Sequence, residues 1–412
     1  MYKYLFNYFY IFILIFLLLL LFNIVTPSKI RGVNLGSYFV LEPYINPSLF
    51  YQFIGLNDHV ISDSYMFCKY LGPYEANKQL IEHWNNWINF EKLDKLKNFG
   101  INTIRIPVAD WMFSPYEVFD INQNNVKCYD KSIYYLDKLF DYCDKLNLNI
   151  LLDLHAMKDS QNGFDNSGLA KNIEINKKNN IIYFDHWHHR SADWIGDYDL
   201  NTKKYLNVNY DNINYSLNVI KIILKKYGKR KSFWGFEPIN EPWEFTPLPE
   251  LKTFYKNVYD IFTKEVDNHK VLIFHDSFRP DEWTNAFFLE NDGKPKVKIY
   301  LDTHQYMAWG KPIPFNDYIK GAKKWKQPYS VFDIIVGEFS LATDNCIMWL
   351  NGFMDNYPGF PLQECYLEDC PHKDKYLPQI NKVVNGPFGS GYSFPTKDGE
   401  CPTTIPIYLN KN

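Results

Sequence analysis

Charge imbalance is what this chain has least of: 44 Lys and Arg stand against 47 Asp and Glu over 412 residues, a formal net charge of −3. So even a balance gives no electrostatic basis for holding nucleic acid. No glycine-rich dinucleotide fingerprint follows any apolar run and no P-loop is present, so no nucleotide cofactor is expected. Seven cysteines occur, Cys68, Cys128, Cys143, Cys346, Cys365, Cys370 and Cys401, but without zinc-site spacing. No metal and no other cofactor is expected. The length suits one large domain or two small ones.

What is present begins at the N-terminus. From Tyr4 to Val25 the chain is almost wholly apolar, broken strongly only by Asn7 and Asn23. This is longer than a usual signal-peptide core and close to the roughly 20 residues that span a bilayer. Residues 1–27 are therefore expected to be a signal peptide or a signal anchor. Either sends the remainder into the secretory pathway, to the exterior or the cell surface, with membrane contact only through this segment. Residues 28–352 form the main domain, and residues 353–412 a Cys/Pro/Gly-rich tail packed on it or part of it. Four of the seven cysteines crowd into the C-terminal region, which predicts two disulfides there in an oxidising compartment. The odd count leaves at least one thiol over. A sequon stands at Asn214-Tyr-Ser216. A monomer is expected.

Apolar runs alternate with amphipathic stretches. Strands are predicted at 30–35, 102–107, 149–155, 234–241, 270–276, 298–304 and 333–338. Helical spacing covers 78–99, with Gly100 as its cap, then 131–147, 211–227 and about 344–352. Strands this apolar, separated by helices, predict an α/β (β/α)8 TIM barrel. The eighth strand is missing or irregular. Leu377 to Val384 is the nearest candidate, and Pro378 weakens it.

Polar residues gather at the ends of these strands: Arg105, His155, Asn240, Glu241, His304, Tyr306 and Glu338. Carboxylates at strand C-termini of a barrel occupy the catalytic face. Two of them, Glu241 and Glu338, with an Asn before the first, point to a retaining glycoside hydrolase with one acid/base and one nucleophile. Aromatic residues make up 18% of the chain. Most serve as core, but some fit a sugar cleft, since apolar sugar faces stack on rings.

At these residues the chain resembles glycoside hydrolase family 5, and within it the exo-β-1,3-glucanases. The resemblance runs from about Ile30 to about Leu350. It is carried by Arg31-Gly-Val-Asn-Leu-Gly36, Phe39-Val-Leu-Glu-Pro43, Asn102-Thr-Ile-Arg-Ile-Pro107, Ser160-Gln-Asn-Gly-Phe-Asp-Asn-Ser-Gly168, Asn240-Glu-Pro242, Asp302-Thr-His-Gln-Tyr306, Val336-Gly-Glu338 and Cys346 to Gly352. It implies Glu338 as nucleophile and Glu241 as acid/base. It implies that Asn240 binds the sugar 2-hydroxyl and that Arg105 and Tyr306 hold Glu338 ionised. His155 and His304 would bind hydroxyls or orient the carboxylates, and Glu42 and Asp165 would bind the terminal sugar. Phe164 and Trp309 would form an aromatic clamp at the mouth. The chain departs from the family at Tyr38, where a Trp is usual, and lacks the eighth-strand Trp. The implied partner is a β-glucan, cleaved at its non-reducing end. An endo-glucanase, a glucosyltransferase, a glycolipid β-glucosidase and a non-catalytic glycan-binding protein are the alternatives.

Overall fold

The computed structural model describes residues 29–46, 49–50, 61–114, 127–171, 175–178, 181–184, 191–284, 295–307, 314–324, 331–340 and 353–354. In chain order the strands are β1 (Gly32–Asn34), β2 (Thr103–Ala109), β3 (Asn149–Ala156), β4 (Ile175–Lys178), β5 (Ile181–Phe184), β6 (Tyr198–Asp199), β7 (Lys204–Tyr205), β8 (Phe233–Glu237), β9 (Val271–His275), β10 (Lys298–Gln305), β11 (Asp333–Phe339) and β12 (Phe353–Met354). The α-helices are α1 (Ser64–Asn86), α2 (Phe90–Asn98), α3 (Ser132–Leu146), α4 (Tyr210–Tyr227), α5 (Leu248–Glu265) and α6 (Phe315–Lys324).

Seven strands pair in the order β1-β2-β3-β8-β9-β10-β11, every pairing parallel. Helices lie between them, and the result is a nearly closed (β/α) barrel. No eighth barrel strand occurs among the described residues, and the candidate at 377–384 lies outside them. The expected helix near 344–352, the cysteines at 346, 365, 370 and 401, and the apolar segment at 4–25 also lie outside them. Among the described residues no helix is long and apolar enough to cross a membrane.

Local chemistry explains the departures from the predicted bounds. The single helix expected over 78–99 is two. The first ends at Asn86, and Asn89 caps the second, its side chain accepting from Lys92 N at 3.0 Å. Gly100, at φ 88°, ends α2 as expected. Helix α1 starts earlier than expected because Asp63 caps it, accepting from Met66 N at 2.7 Å. It bends at Gly72-Pro73, where Gly72 leaves helical φ/ψ. The tract at 177–180, expected as loop, contributes Lys177 and Lys178 to β4, which pairs antiparallel with β5. Pro107 sits inside central strand β2 at no cost in pairing. Leu35 N bonds Arg105 O, so Pro107 N faces the same side two residues on, beyond the end of short β1.

A disulfide joins Cys68 on α1 to Cys128 before α3, 60 residues apart. No spacing in the sequence marks this pair, and the two disulfides expected among the C-terminal cysteines lie outside the described residues. Cys143 is free and buried.

Alternation along each strand stacks the barrel interior in layers. Leu151, Val271 and Ile273 form an inner apolar cluster, with Trp234, Tyr300 and Ile335 against it. Two or four residues further along the same strand faces stand Asp153 and His155, His275, and Asp302 and His304. The sequence thus builds an apolar floor and a polar upper layer from the same columns.

Candidate active site

Arg105 is the hub of that upper layer. It lies mid-strand in β2, not at its end as expected, and is 4% exposed. Its Nε donates to Glu237 Oε2 at 2.9 Å, and Nη1 to Glu338 Oε1 at 2.7 Å and Asn34 Oδ1 at 3.1 Å. Nη2 donates to Asn240 Oδ1 at 2.8 Å and lies 3.1 Å from Asp153 Oδ2. Burial opposes its charge, but Asp153, Glu237 and Glu338 overcome this and raise its pKa well above the ordinary value.

Glu338 is gripped at both oxygens. Tyr306 Oη donates to Oε2 at 2.7 Å, while Arg105 holds Oε1. Burial alone would push the Glu338 carboxyl up. His304, Arg105 and His155, with the Tyr306 hydrogen bond, reverse this and hold it below the usual carboxylate range.

Glu241 does not end a strand, because β8 stops at Glu237, followed by Pro238, which has no N–H for a ladder. The chain stays beside β3 through Asn240 N to Leu154 O at 3.1 Å. It then turns through Glu241 at φ 45°, in the left-handed region that a non-glycine residue seldom adopts. His304 Nδ1 meets Glu241 Oε1 at 2.6 Å, and Asn166 Nδ2 donates to Oε2 at 3.0 Å. The same His304 Nδ1 lies 3.5 Å from Glu338 Oε2. Burial works against the His304 charge, but Glu338, Asp302 and Glu241 raise its pKa well above the ordinary value.

The remaining expected residues arrange around these. His155 Nδ1 bonds Asp153 Oδ2 at 2.5 Å, and its Nε2 lies 3.4 Å from Asn240 Nδ2. Gln161 ties the two loops together, donating to His155 O at 2.7 Å and Asn240 O at 3.0 Å. Glu42 and Asp165 are both buried, and Tyr44 donates to Glu42. Burial pushes Glu42 up to about 7, against the opposing pull of His155. Burial and then Glu42 push Asp165 well up. Phe164 is half-buried in the loop that carries Asn166. Trp309 lies outside the described residues.

Three acids in this layer received no role from sequence reasoning: Asp153, Glu237 and Asp302. Strand alternation carried a signal for two of them, since Asp153 and Asp302 each sit two residues before an inward His. Burial, with Asp302 and Asp153 nearby, pushes Glu237 well up despite Arg105. Two sets bring potential metal-ligand atoms within 4.8 Å of one another: Glu241, His275 and His304, and Glu237, Asp302 and His304. In the first, Ser277 N already bonds His275 Nδ1 at 2.9 Å and His304 already bonds Glu241, so a cation there would have to displace existing contacts.

Two carboxyls bridged by one imidazole and held by an Arg and a Tyr thus stand at the C-terminal face of the barrel, where this fold carries its active sites. No family model matches the chain. The glucan 1,3-beta-glucosidase of Schwanniomyces occidentalis is 30% identical over 380 residues, 87% of this chain and 79% of that protein. That of Yarrowia lipolytica is 32% identical over 337 residues, 79% of this chain and 69% of that protein. The chain belongs to the glucan 1,3-beta-glucosidase family of glycoside hydrolase family 5 enzymes, and it is a glycosidase. The rutinosidase from Aspergillus niger shares the fold, with a TM-score of 0.56 at 21% identity over 78% of this chain and 83% of that one.

Proposed function

We propose that this chain hydrolyses β-1,3-glucan, releasing glucose from non-reducing ends by retaining double displacement. Glu338 attacks the anomeric carbon. Glu241 protonates the leaving oxygen, then takes a proton from the incoming water. The observation that carries the reading is the unequal treatment of the two acids. Arg105 and Tyr306 each bond a separate oxygen of Glu338, and the surrounding cations favour its ionised form. A nucleophile needs that state. Glu241 has no such two-sided clamp: a neutral amide meets one oxygen, and the other meets His304, the imidazole it shares with Glu338.

The shared His304 bounds the spacing. With 2.6 Å to one carboxylate oxygen and 3.5 Å to the other, those oxygens lie within about 6 Å, which supports retention rather than the wider inverting separation. Asn240, held by Arg105 at 2.8 Å, binds the 2-hydroxyl in this reading, a contact that strengthens as the oxocarbenium ion develops. Glu42 and Asp165 bind hydroxyls of the terminal sugar. The β-1,3 linkage rests on the activity named for the relatives, and the exo mode on the resemblance of the sequence motifs. The apolar run in the sequence at 4–25 supports delivery of this activity through the secretory pathway.

The test is peptide mass spectrometry after exposure to an activated 2-deoxy-2-fluoroglucoside. One glycosyl mass on the peptide holding Glu338 is expected. A folded sample that takes no label, or takes it elsewhere, overturns the assignment.

A further inference from the structure

Glu338 should not face the site at all if β11 were regular. Ile335 points into the barrel against the inner apolar cluster. Strict alternation would then turn residues 337 and 339 inward and Glu338 outward. The register with β10 shows how this is avoided. Asp302 pairs with Ile335, and His304 pairs with Glu338, so two steps on β10 oppose three on β11. That is a β-bulge over Val336-Gly337, and its extra residue re-aims Glu338 into the barrel.

A bulge frees backbone groups from the ladder, and these need partners. Gly337 N donates to Asp302 Oδ1 at 2.5 Å. Gly337 O accepts from Asn34 Nδ2 at 2.8 Å. The fit leaves no room for a side chain, since a Cβ on Gly337 would meet Asp302 Oδ2 at 1.8 Å. Asp302 is fully buried, and its Oδ2 lies 3.6 Å from His304 Nε2, on the far side of the imidazole from Glu241.

We infer that Asp302 is a positioning residue for both carboxyls: it holds the Gly337 bulge that turns Glu338 inward, and its other oxygen, beyond hydrogen-bond reach at 3.6 Å, acts by charge on the imidazole that meets Glu241. It touches no substrate and acts only through Gly337 and His304. The inference rests on Glu338 being the nucleophile.

The experiment is a cycle of D302A and G337A in the full chain. It reads kcat, KM and the rate of labelling by the activated fluoroglucoside. D302A should lower kcat and the labelling rate by about 100-fold with KM little changed, the size expected for roughly 1 Å of misplacement. D302N keeps an acceptor for Gly337 N–H and should recover about tenfold of that loss, because only the charge facing His304 is gone. G337A should be as damaging as D302A alone, yet cost less than about threefold in the D302A background, where the obstructing carboxylate has gone. Should D302A not fold, D302S with G337A makes the same comparison. Native kcat and labelling in folded D302A, or losses that simply multiply in the double variant, would overturn the role of Asp302 alone. Absence of label in the native chain would instead overturn the nucleophile.

Discussion

Replacing Glu241 by Gln removes one transferable proton and little else. In the native site His304 Nδ1 meets Oε1 and Asn166 Nδ2 donates to Oε2. A Gln can keep its amide oxygen on His304, leaving its NH2 against Asn166, whose own amide can turn to accept. The structural cost is at most one hydrogen bond, about 1 kcal/mol. General acid catalysis is worth about 10²–10⁴-fold, or some 3–5.5 kcal/mol, so the chemical loss should dominate. The assay compares kcat/KM on a β-1,3-gluco-oligosaccharide and on a dinitrophenyl glucoside. The oligosaccharide has a poor leaving group and should lose about 10²–10⁴-fold. The aryl glucoside needs no acid assistance to leave and should keep most of its kcat/KM. Its kcat should still fall, because hydrolysis of the glycosyl-enzyme also uses Glu241 as base. Equal losses in kcat/KM on both substrates would refute the assignment, and loss of fold would refute the structural argument.

Tyr306→Phe deletes a donor to the ionised form of Glu338, so the Glu338 pKa must rise and the acid limb of kcat/KM must move to higher pH. A shift of about one unit is expected from a charged hydrogen bond at a partly exposed site, and an unmoved limb would mean the bond does not hold the charge. Cys128→Ser opens a 60-residue crosslink and should lower unfolding stability by about 4 kcal/mol in a denaturant titration; a loss under about 1 kcal/mol would show that the disulfide adds little.

The barrel was legible because its strands are apolar on both faces and its helices keep a clear stripe, so period alone separates them. Boundaries failed where one side chain outweighed the pattern: Asn89 caps a new helix inside a stretch that periodicity ran together, and Pro238 ends a strand that apolarity carried on to Glu241. Arg105, His155, Asn240, Glu241, His304, Tyr306 and Glu338 do come together, but the reason Glu338 faces inward was not legible. A bulge is a relation between two strands, and β11 read alone has the wrong parity. The same holds for the Cys68–Cys128 pairing, which depends on where α1 lies against the segment before α3. Asp302 was visible as a letter in a motif, but its partner is a backbone N–H 35 residues away, which no local pattern marks.

The grips on Glu338 and its peptide also set when the site can exist. Arg105 is 233 residues back along the chain, and Asn34, which holds the Gly337 carbonyl, is 303 residues from it. Contacts of such separation carry the largest loop-closure entropy and slow the search for the native state. An emerging polypeptide can assemble helices α1 to α5 and most of the sheet before residue 338 leaves the ribosome. Refolding followed by fluorescence should therefore run ahead of refolding followed by turnover, with catalytic competence the last property the molecule acquires.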